Sequence, residues 1–274
     1  MISPLHATLL GILEGLTEFL PISSTGHLIL ASSWLGVHGE AVKTLEIAIQ
    51  AGALVAVLGL YRDRVAAMWR GCRGADPVGQ ALCINLLVSF APAAAAGLFL
   101  HRVITNRLFT VWAVAAALAV GGVLMILVDH RTRGQSAPVR LLETITVHKA
   151  LLIGCAQCLA LWPGTSRAMV TIVAGLLLGL PSTVAAEYSF LLALPTLGAV
   201  TVLALASGGR TLVQDAGWGS LVCGFLAAAV VAALAIRGFL RYLTRWGLAP
   251  FGWYRLALAA VVWAAAPQTW PHGH

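Results

Sequence analysis

Along most of this chain apolar residues do not alternate with polar ones but run nearly unbroken for about 20 residues. That is the length a helix needs to cross a hydrocarbon core of about 30 Å. Six such runs, residues 45–61, 78–100, 108–128, 186–206, 218–240 and 251–266, predict six full transmembrane helices. Two further apolar stretches, residues 5–20 and 148–162, are shorter, and each ends at a proline, Pro21 and Pro163, followed by small polar residues. At 1.5 Å per residue they reach about 24 Å. Each predicts a half-helix that stops inside the membrane and turns back, through residues 23–35 and 165–180. Non-helical backbone at that depth is tolerated only where it is buried in protein or lines a wet cavity. Two re-entrant hairpins therefore predict a shared interior site.

Composition fixes the solvent. Hydrophobic residues make up 59% of the 274 positions and charged residues 10%, where a soluble domain carries roughly a quarter. With a mean hydropathy of +0.90, the chain reads as an all-α polytopic membrane protein in a single membrane domain, 1–274. Its net charge of +7 comes from arginines gathered in short connections, which suits membrane lipid headgroups and topology, not nucleic acid. Residues 1–4 lack a basic n-region, so the first apolar segment is expected to stay in the mature protein. Cys83, Cys155, Cys158 and Cys223 lie in apolar runs and are expected to be packed thiols. Cys155-x-x-Cys158 has no second pair at zinc spacing.

Arginine placement predicts orientation. Arg62, Arg64, Arg70 and Arg73 fill one connection, Arg131, Arg133 and Arg140 a second, and Arg237, Arg241 and Arg245 a third, so all three are expected on the cytoplasmic side. The connections near Ala41, Thr105 and Asp215 then face outward, and Trp69, Trp112, Trp218, Trp246, Trp253 and Trp270 form an interfacial belt. The two halves also resemble each other. At an offset of 143, Leu10-Gly11, Glu14 and Leu16 lie over Ile153-Gly154, Gln157 and Leu159, and Phe19 over Trp162. One residue is then lost, placing Pro21-Ile22-Ser23-Ser24-Thr25 over Pro163-Gly164-Thr165-Ser166-Arg167. One hairpin plus three spans is an odd number of crossings, so two copies, about residues 1–130 and 145–274, form an inverted-topology repeat.

The chemistry concentrates at the hairpins. Glu14 and Glu18, one helical turn apart, stand in a segment read as membrane-buried, where ionisable groups are costly and mark function. With Thr17 they share a helix face, where the carboxylates could hold a divalent cation or act as a base. Ser23 or Ser24 can cap a new helix whose free N–H groups favour an anion, and Pro163-Gly164-Thr165-Ser166 repeats the arrangement. Arg167 adds a planar cation matched to phosphate. His27, three residues beyond Ser24, can reach the serine's face and carry a proton.

Each feature has a blander reading: a serine cluster as helix–helix glue, a lone histidine as core, a buried glutamate as a structural hydrogen-bonder. Glu46, Glu187 and Gln50 are either supports of the site or structural. His38, His101, His130, His148, His272 and His274 lie at ends or loops and carry no expected chemistry.

The strings EGLTEFLPISSTGH (14–27), LIGCAQCLALWPGTSRAMVTI (152–172) and EYSFLLALP (187–195) closely resemble the bacterial undecaprenyl-diphosphate phosphatases of the bacitracin-resistance type, nearly end to end. The resemblance implies a multi-pass enzyme of the bacterial inner membrane, its site open to the periplasm, that removes the terminal phosphate of undecaprenyl diphosphate and so recycles the lipid carrier for peptidoglycan. It implies an interdigitated inverted repeat and a divalent cation, Mg2+ or Ca2+, at Glu14 and Glu18. It also implies catalytic roles for Glu18, Ser24 as nucleophile, His27 in proton transfer and Arg167 on the diphosphate. Ser23, Thr25, Gly26, Thr165 and Ser166 fall at substrate-binding positions. The expected partners are a polyprenyl diphosphate and membrane lipids, with a homodimer left open.

Where that family reads P-G-x-S-R-S-G, this chain has Ala168-Met169 after Arg167, losing a hydroxyl and gaining a thioether. A polyprenyl-phosphate transporter or flippase is the alternative that inverted repeats and midplane charges also fit. A non-catalytic lipid-diphosphate binder is the alternative that Ala168-Met169 favours.

Overall fold

The computed structural model describes residues 2–37, 39–108, 110–132 and 142–269. Arg133, Arg140, His38, His272, His274 and Trp270 lie outside them, and the side chains of His101, Thr105 and Asp215 are not described. The chain is all-helical: α1 (Pro4–Thr17), α2 (Ser24–Trp34), α3 (Glu40–Leu60), α4 (Arg62–Cys72), α5 (Pro77–Arg107), α6 (Val111–Thr132), α7 (Val147–Gln157), α8 (Arg167–Leu177), α9 (Ser182–Ala216), α10 (Trp218–Trp246) and α11 (Ala249–Thr269). Short 3-10 turns precede and follow α7.

All six long apolar runs lie on helices. Four stretches, Pro77–Leu100, Val111–Thr132, Ser182–Ala206 and Trp218–Trp246, are long and apolar enough to cross a membrane. A fifth crossing follows if Thr44–Leu60 and Arg62–Cys72, bent by 82° at Tyr61, count as one broken span. The protein is thus a polytopic membrane protein, as its composition demands. The arginine-rich connection after residue 61 is itself a helix, α4, where sequence suggested only a loop. Its exposed face carries Arg62, Asp63 and Trp69, and Gly71 lies so close to Gly79 and Gln80 of α5 that no Cβ would fit. Helices α5 and α9 run through the connections expected near Thr105 and Asp215.

The two short apolar segments are helical hairpins. Helix α1 ends at Thr17, and α7 at Gln157 with a 3-10 turn over Cys158–Leu161, so both half-helices are shorter than their apolar runs. Each hairpin packs on a long helix remote in sequence. Gly11 and Gly15 bring α1 onto the backbone of α10 at Gly224 and Ala228, and Gly154 brings α7 to within 2.5 Å, measured from a Cβ built on it, of the Ser89 carbonyl of α5. The largest core cluster joins Phe19, Met169, Tyr188, Phe190 and Phe239, so the hairpin tips rest on it.

Large apolar side chains cover much of the outer surface, among them Leu98, Phe99, Val202 and Leu234, as lipid contact requires. Trp69, Trp112, Trp218, Trp246 and Trp253 are all exposed. All five cysteines are free thiols. Cys155, expected to be packed, lies exposed on the apolar outer face of α7.

Candidate active site

Both hairpin tips are built on the same backbone device. Ser23 (φ 72°, ψ 93°) and Ser166 (φ 70°, ψ 116°) are the two non-glycine residues with positive φ among the described residues. Such a conformation costs on the order of 1–3 kcal/mol and persists only where the surroundings impose it. Each serine caps the helix that follows: Ser23 Oγ accepts from the Gly26 N–H at 3.4 Å, and Ser166 Oγ from the Met169 N–H at 3.3 Å. Ser23 and Ser166 match in backbone conformation and capping and stand 143 residues apart, the offset of the helices before them. Matched on backbone conformation, the two tips need no residue lost after Phe19. Pro21 corresponds to Gly164, and Ser24 to Arg167, each the first residue of its returning helix.

Those first residues meet on one carboxylate. Ser24 Oγ donates to Glu18 Oε2 at 2.6 Å, and Arg167 Nη2 donates to Glu18 Oε1 at 3.0 Å. Both side chains of the ion pair are 8% exposed. Arg167 Nη1 donates to the Ser189 carbonyl at 2.8 Å, Ser189 Oγ lies 2.7 Å from Thr171 Oγ1, and the guanidinium sits 5.8 Å from the Phe19 ring centroid. Arg167 Nε is buried and has no protein partner.

Above this pair lies a polar cavity of about 160 Å³, lined by Glu18, Ser23, Ser24, Thr25, Gln50, Trp162, Pro163, Gly164, Ser166 and Arg167 with Ala160 and Leu197. Two helix N-termini, a guanidinium and four hydroxyl side chains line one small cavity, a set of groups whose chemistry suits a phosphate-like anion.

The other expected residues fall around it. Glu14 is 2% exposed, and its Oε2 has no hydrogen-bond partner. Its neighbours in charge range are Glu18, Glu46 and Arg167, so Glu46 belongs beside the site. Glu187 lies instead near the Arg64–Glu143 ion pair.

The His27 ring is not bonded to Ser24. Its Nδ1 lies 2.7 Å from the Ser23 carbonyl, which can only accept, so Nδ1 carries the proton. Its Nε2 lies 2.7 Å from the Tyr254 hydroxyl of α11, whose ring stacks at 5.7 Å. Gly26 faces Val114 and Leu118 of α6, and Thr165 lines a separate apolar cavity of about 310 Å³ beside Met169 and Val170. Neither lines the polar cavity. Ala168 and Met169 are 0% and 2% exposed and also lie outside it, so the departure at these two positions takes no group from the cavity wall.

Residues that sequence reasoning passed over are Ser189, Tyr254 and Arg255. Arg255 stands inside an apolar run, and that cost alone was a signal.

Cation binding can be judged from the donors. The two carboxylates and nearby hydroxyls are oxygen ligands, as Mg2+ and Ca2+ prefer, and Glu14 Oε2 is unengaged. Among the described residues no group of three or more His, Cys, Asp or Glu is placed to hold a metal. A cation here would therefore complete its shell with substrate oxygens and water, as Mg2+ commonly does.

The fold and the cavity together define a polytopic membrane protein with a small polar cavity between two helical hairpin tips. Residues 7–261 match the family described as Bacitracin resistance protein BacA. Similar proteins include the Undecaprenyl-diphosphatase of Sorangium cellulosum, 54% identical over 93% of this chain and 84% of that protein. The Undecaprenyl-diphosphatase of Nitrosomonas europaea is 43% identical over 94% and 93%, and the Undecaprenyl-diphosphatase 2 of Shewanella oneidensis 39% over 95% and 97%. The chain belongs to the bacitracin resistance protein family.

Proposed function

We infer that the protein is an undecaprenyl-diphosphatase, a membrane hydrolase that converts undecaprenyl diphosphate to undecaprenyl phosphate and inorganic phosphate. The observation that carries this reading is the double engagement of Glu18, by Ser24 Oγ and by Arg167, at the wall of the polar cavity. A carrier needs an anion site but has no use for a hydroxyl held 2.6 Å from a carboxylate.

The mechanism follows from that geometry. Arg167 and the N-termini of α2 and α8 hold the diphosphate oxygens and offset the charge that develops at the terminal phosphorus. Ser24 Oγ attacks that phosphorus as its proton passes to Glu18 Oε2, the bond to the bridging oxygen breaks, and undecaprenyl phosphate leaves. Water then attacks the phosphoserine phosphorus, the bond to Ser24 Oγ breaks, inorganic phosphate leaves, and Ser24 Oγ takes back the proton from Glu18. In the variant without a phosphoserine, Glu18 activates water directly and Ser24 only orients it. His27, with Nδ1 committed to Ser23 and Nε2 to Tyr254, holds the tip backbone and does not take the serine proton. Glu14 and Glu18 would hold a divalent cation, which supplies further neutralisation of phosphate charge.

On the same reading the protein sits in the bacterial inner membrane with six crossings and its cavity open to the periplasm. The support is the grouping of Arg62–Arg73, Arg131 and Arg237–Arg245 at one set of helix ends. Two inverted copies are supported by the paired Ser23 and Ser166 turns and by the packing of α1 on α10 and of α7 on α5.

Phosphate release from undecaprenyl diphosphate by the detergent-purified protein, with and without chelator, tests the activity and the cation together. Binding without release would overturn the hydrolase reading in favour of a carrier or binder.

A further inference from the structure

Arg255 is 0% exposed and stands on α11 in the middle of an apolar run. An unpaired cation so placed is costly unless its donors are satisfied. Among the described residues no carboxylate pairs with it. Four of its five N–H groups go instead to backbone carbonyls: Nε to Leu118 (3.3 Å) and Nη2 to Ala117 (2.9 Å), both on α6, Nη1 to Pro21 (3.3 Å) and Nη2 to Gly164 (3.0 Å).

The last two acceptors are the informative ones. Pro21 lies two residues before Ser23, and Gly164 two residues before Ser166. One guanidinium thus grips the equivalent carbonyl of each hairpin tip, immediately behind the strained serine that starts each returning helix. Neither hairpin is joined to the other by local chain, so their mutual spacing must be set by such cross-contacts. Holding both carbonyls fixes the backbone that leads into Ser24 of α2 and Arg167 of α8.

We propose that Arg255 is a positioning residue for diphosphate hydrolysis, a clamp that fixes the two hairpin tips at the separation where both helix N-termini, Ser24 and Arg167 act on one phosphate. The proposal rests on the hydrolase reading above. Lysine in its place keeps the charge but, as a single point donor, cannot span acceptors on three segments as the planar fork does. The clamp is set by Gly121 of α6 as well: a Cβ there would collide with Arg255 Nη2, the nitrogen shared by Ala117 and Gly164, and would lie 2.8 Å from the terminal methyl of Met169.

The test compares native protein with Arg255→Lys, Arg255→Met and Gly121→Ala. It measures kcat and KM for phosphate release from undecaprenyl diphosphate per monodisperse, folded protein, alongside Tm. A displaced tip misaligns reacting groups while Arg167 and the apolar contacts still bind substrate. The expected result is a fall in kcat of about 10²-fold for Arg255→Lys. KM should stay within about threefold of native, the signature of an interaction expressed in the transition state. Gly121→Ala, which keeps Arg255 and its charge, should reproduce the kcat loss even if an Arg255 variant fails to fold. Native-like kcat in Gly121→Ala, or loss through KM alone, would overturn the clamp while leaving the hydrolase reading intact. No phosphate release from the native protein would overturn both.

Discussion

Replacing Glu18 by Gln is the sharpest perturbation the site offers, because the amide keeps the shape of the side chain and removes only its charge and basicity. Two consequences follow separately. Ser24 loses its 2.6 Å proton acceptor, and loss of a positioned base costs about 10²–10⁴-fold in rate. Arg167 loses its counter-ion in a setting where both partners are 8% exposed, and breaking a buried pair on one side costs about 3–5 kcal/mol of stability. The stability loss should fall at the lower end, since Arg167 Nη1 retains the Ser189 carbonyl at 2.8 Å. Phosphate release under saturating substrate should therefore fall by about 10³-fold, with a lowered Tm. Glu18→Asp, which keeps the charge but draws it back by one methylene, should recover stability more than rate. A Glu18→Gln protein that keeps more than about a tenth of native kcat would show that this carboxylate is not the base.

Three further outcomes are expected. Ser24→Ala should lose turnover by at least about 10²-fold, and native enzyme quenched during turnover should carry phosphate on Ser24; retained turnover in the variant would refute the nucleophile. Gly154→Ala forces a methyl against the Ser89 backbone of α5, so its Tm should fall, by overpacking worth about 1–3 kcal/mol, with KM unchanged; an unaltered Tm would refute the close packing of that hairpin. Asp76 accepts from the Gly79 N–H at 2.9 Å, and that bond, with Arg70, holds its carboxyl below the ordinary carboxylate range. A depressed pKa stabilises above the unfolded value and fades as pH falls through the folded one, so acid should loosen the α4–α5 corner, read as a change in Trp69 fluorescence. Asp76→Asn should abolish that acid transition; its persistence would assign it elsewhere.

The sequence by itself determined the solvent, the all-helical class, the two short helical segments that end at the tips and the cluster that forms the cavity. These are local properties: the length of an apolar run against the bilayer, a proline followed by capping serines, and the cost of charge at depth. Glu18, Ser23, Ser24, Thr25, Ser166 and Arg167 were legible for that reason, since each stands out against an apolar background.

What tertiary structure decided was who touches whom. Helical spacing put His27 within reach of Ser24, but the positive φ at Ser23 starts α2 at Ser24 and aims that hydroxyl back at Glu18, while Tyr254, 227 residues away, takes the His27 ring. The missing residue inferred between the halves vanished for the same reason: Ser23 and Ser166 are matched by backbone conformation, whereas the prolines are not. Arg255 was visible only as an isolated charge, because its acceptors are main-chain carbonyls, which every residue carries and no sequence pattern distinguishes. Local sequence sets which groups are available at membrane depth; the crossing of remote helices sets which of them meet.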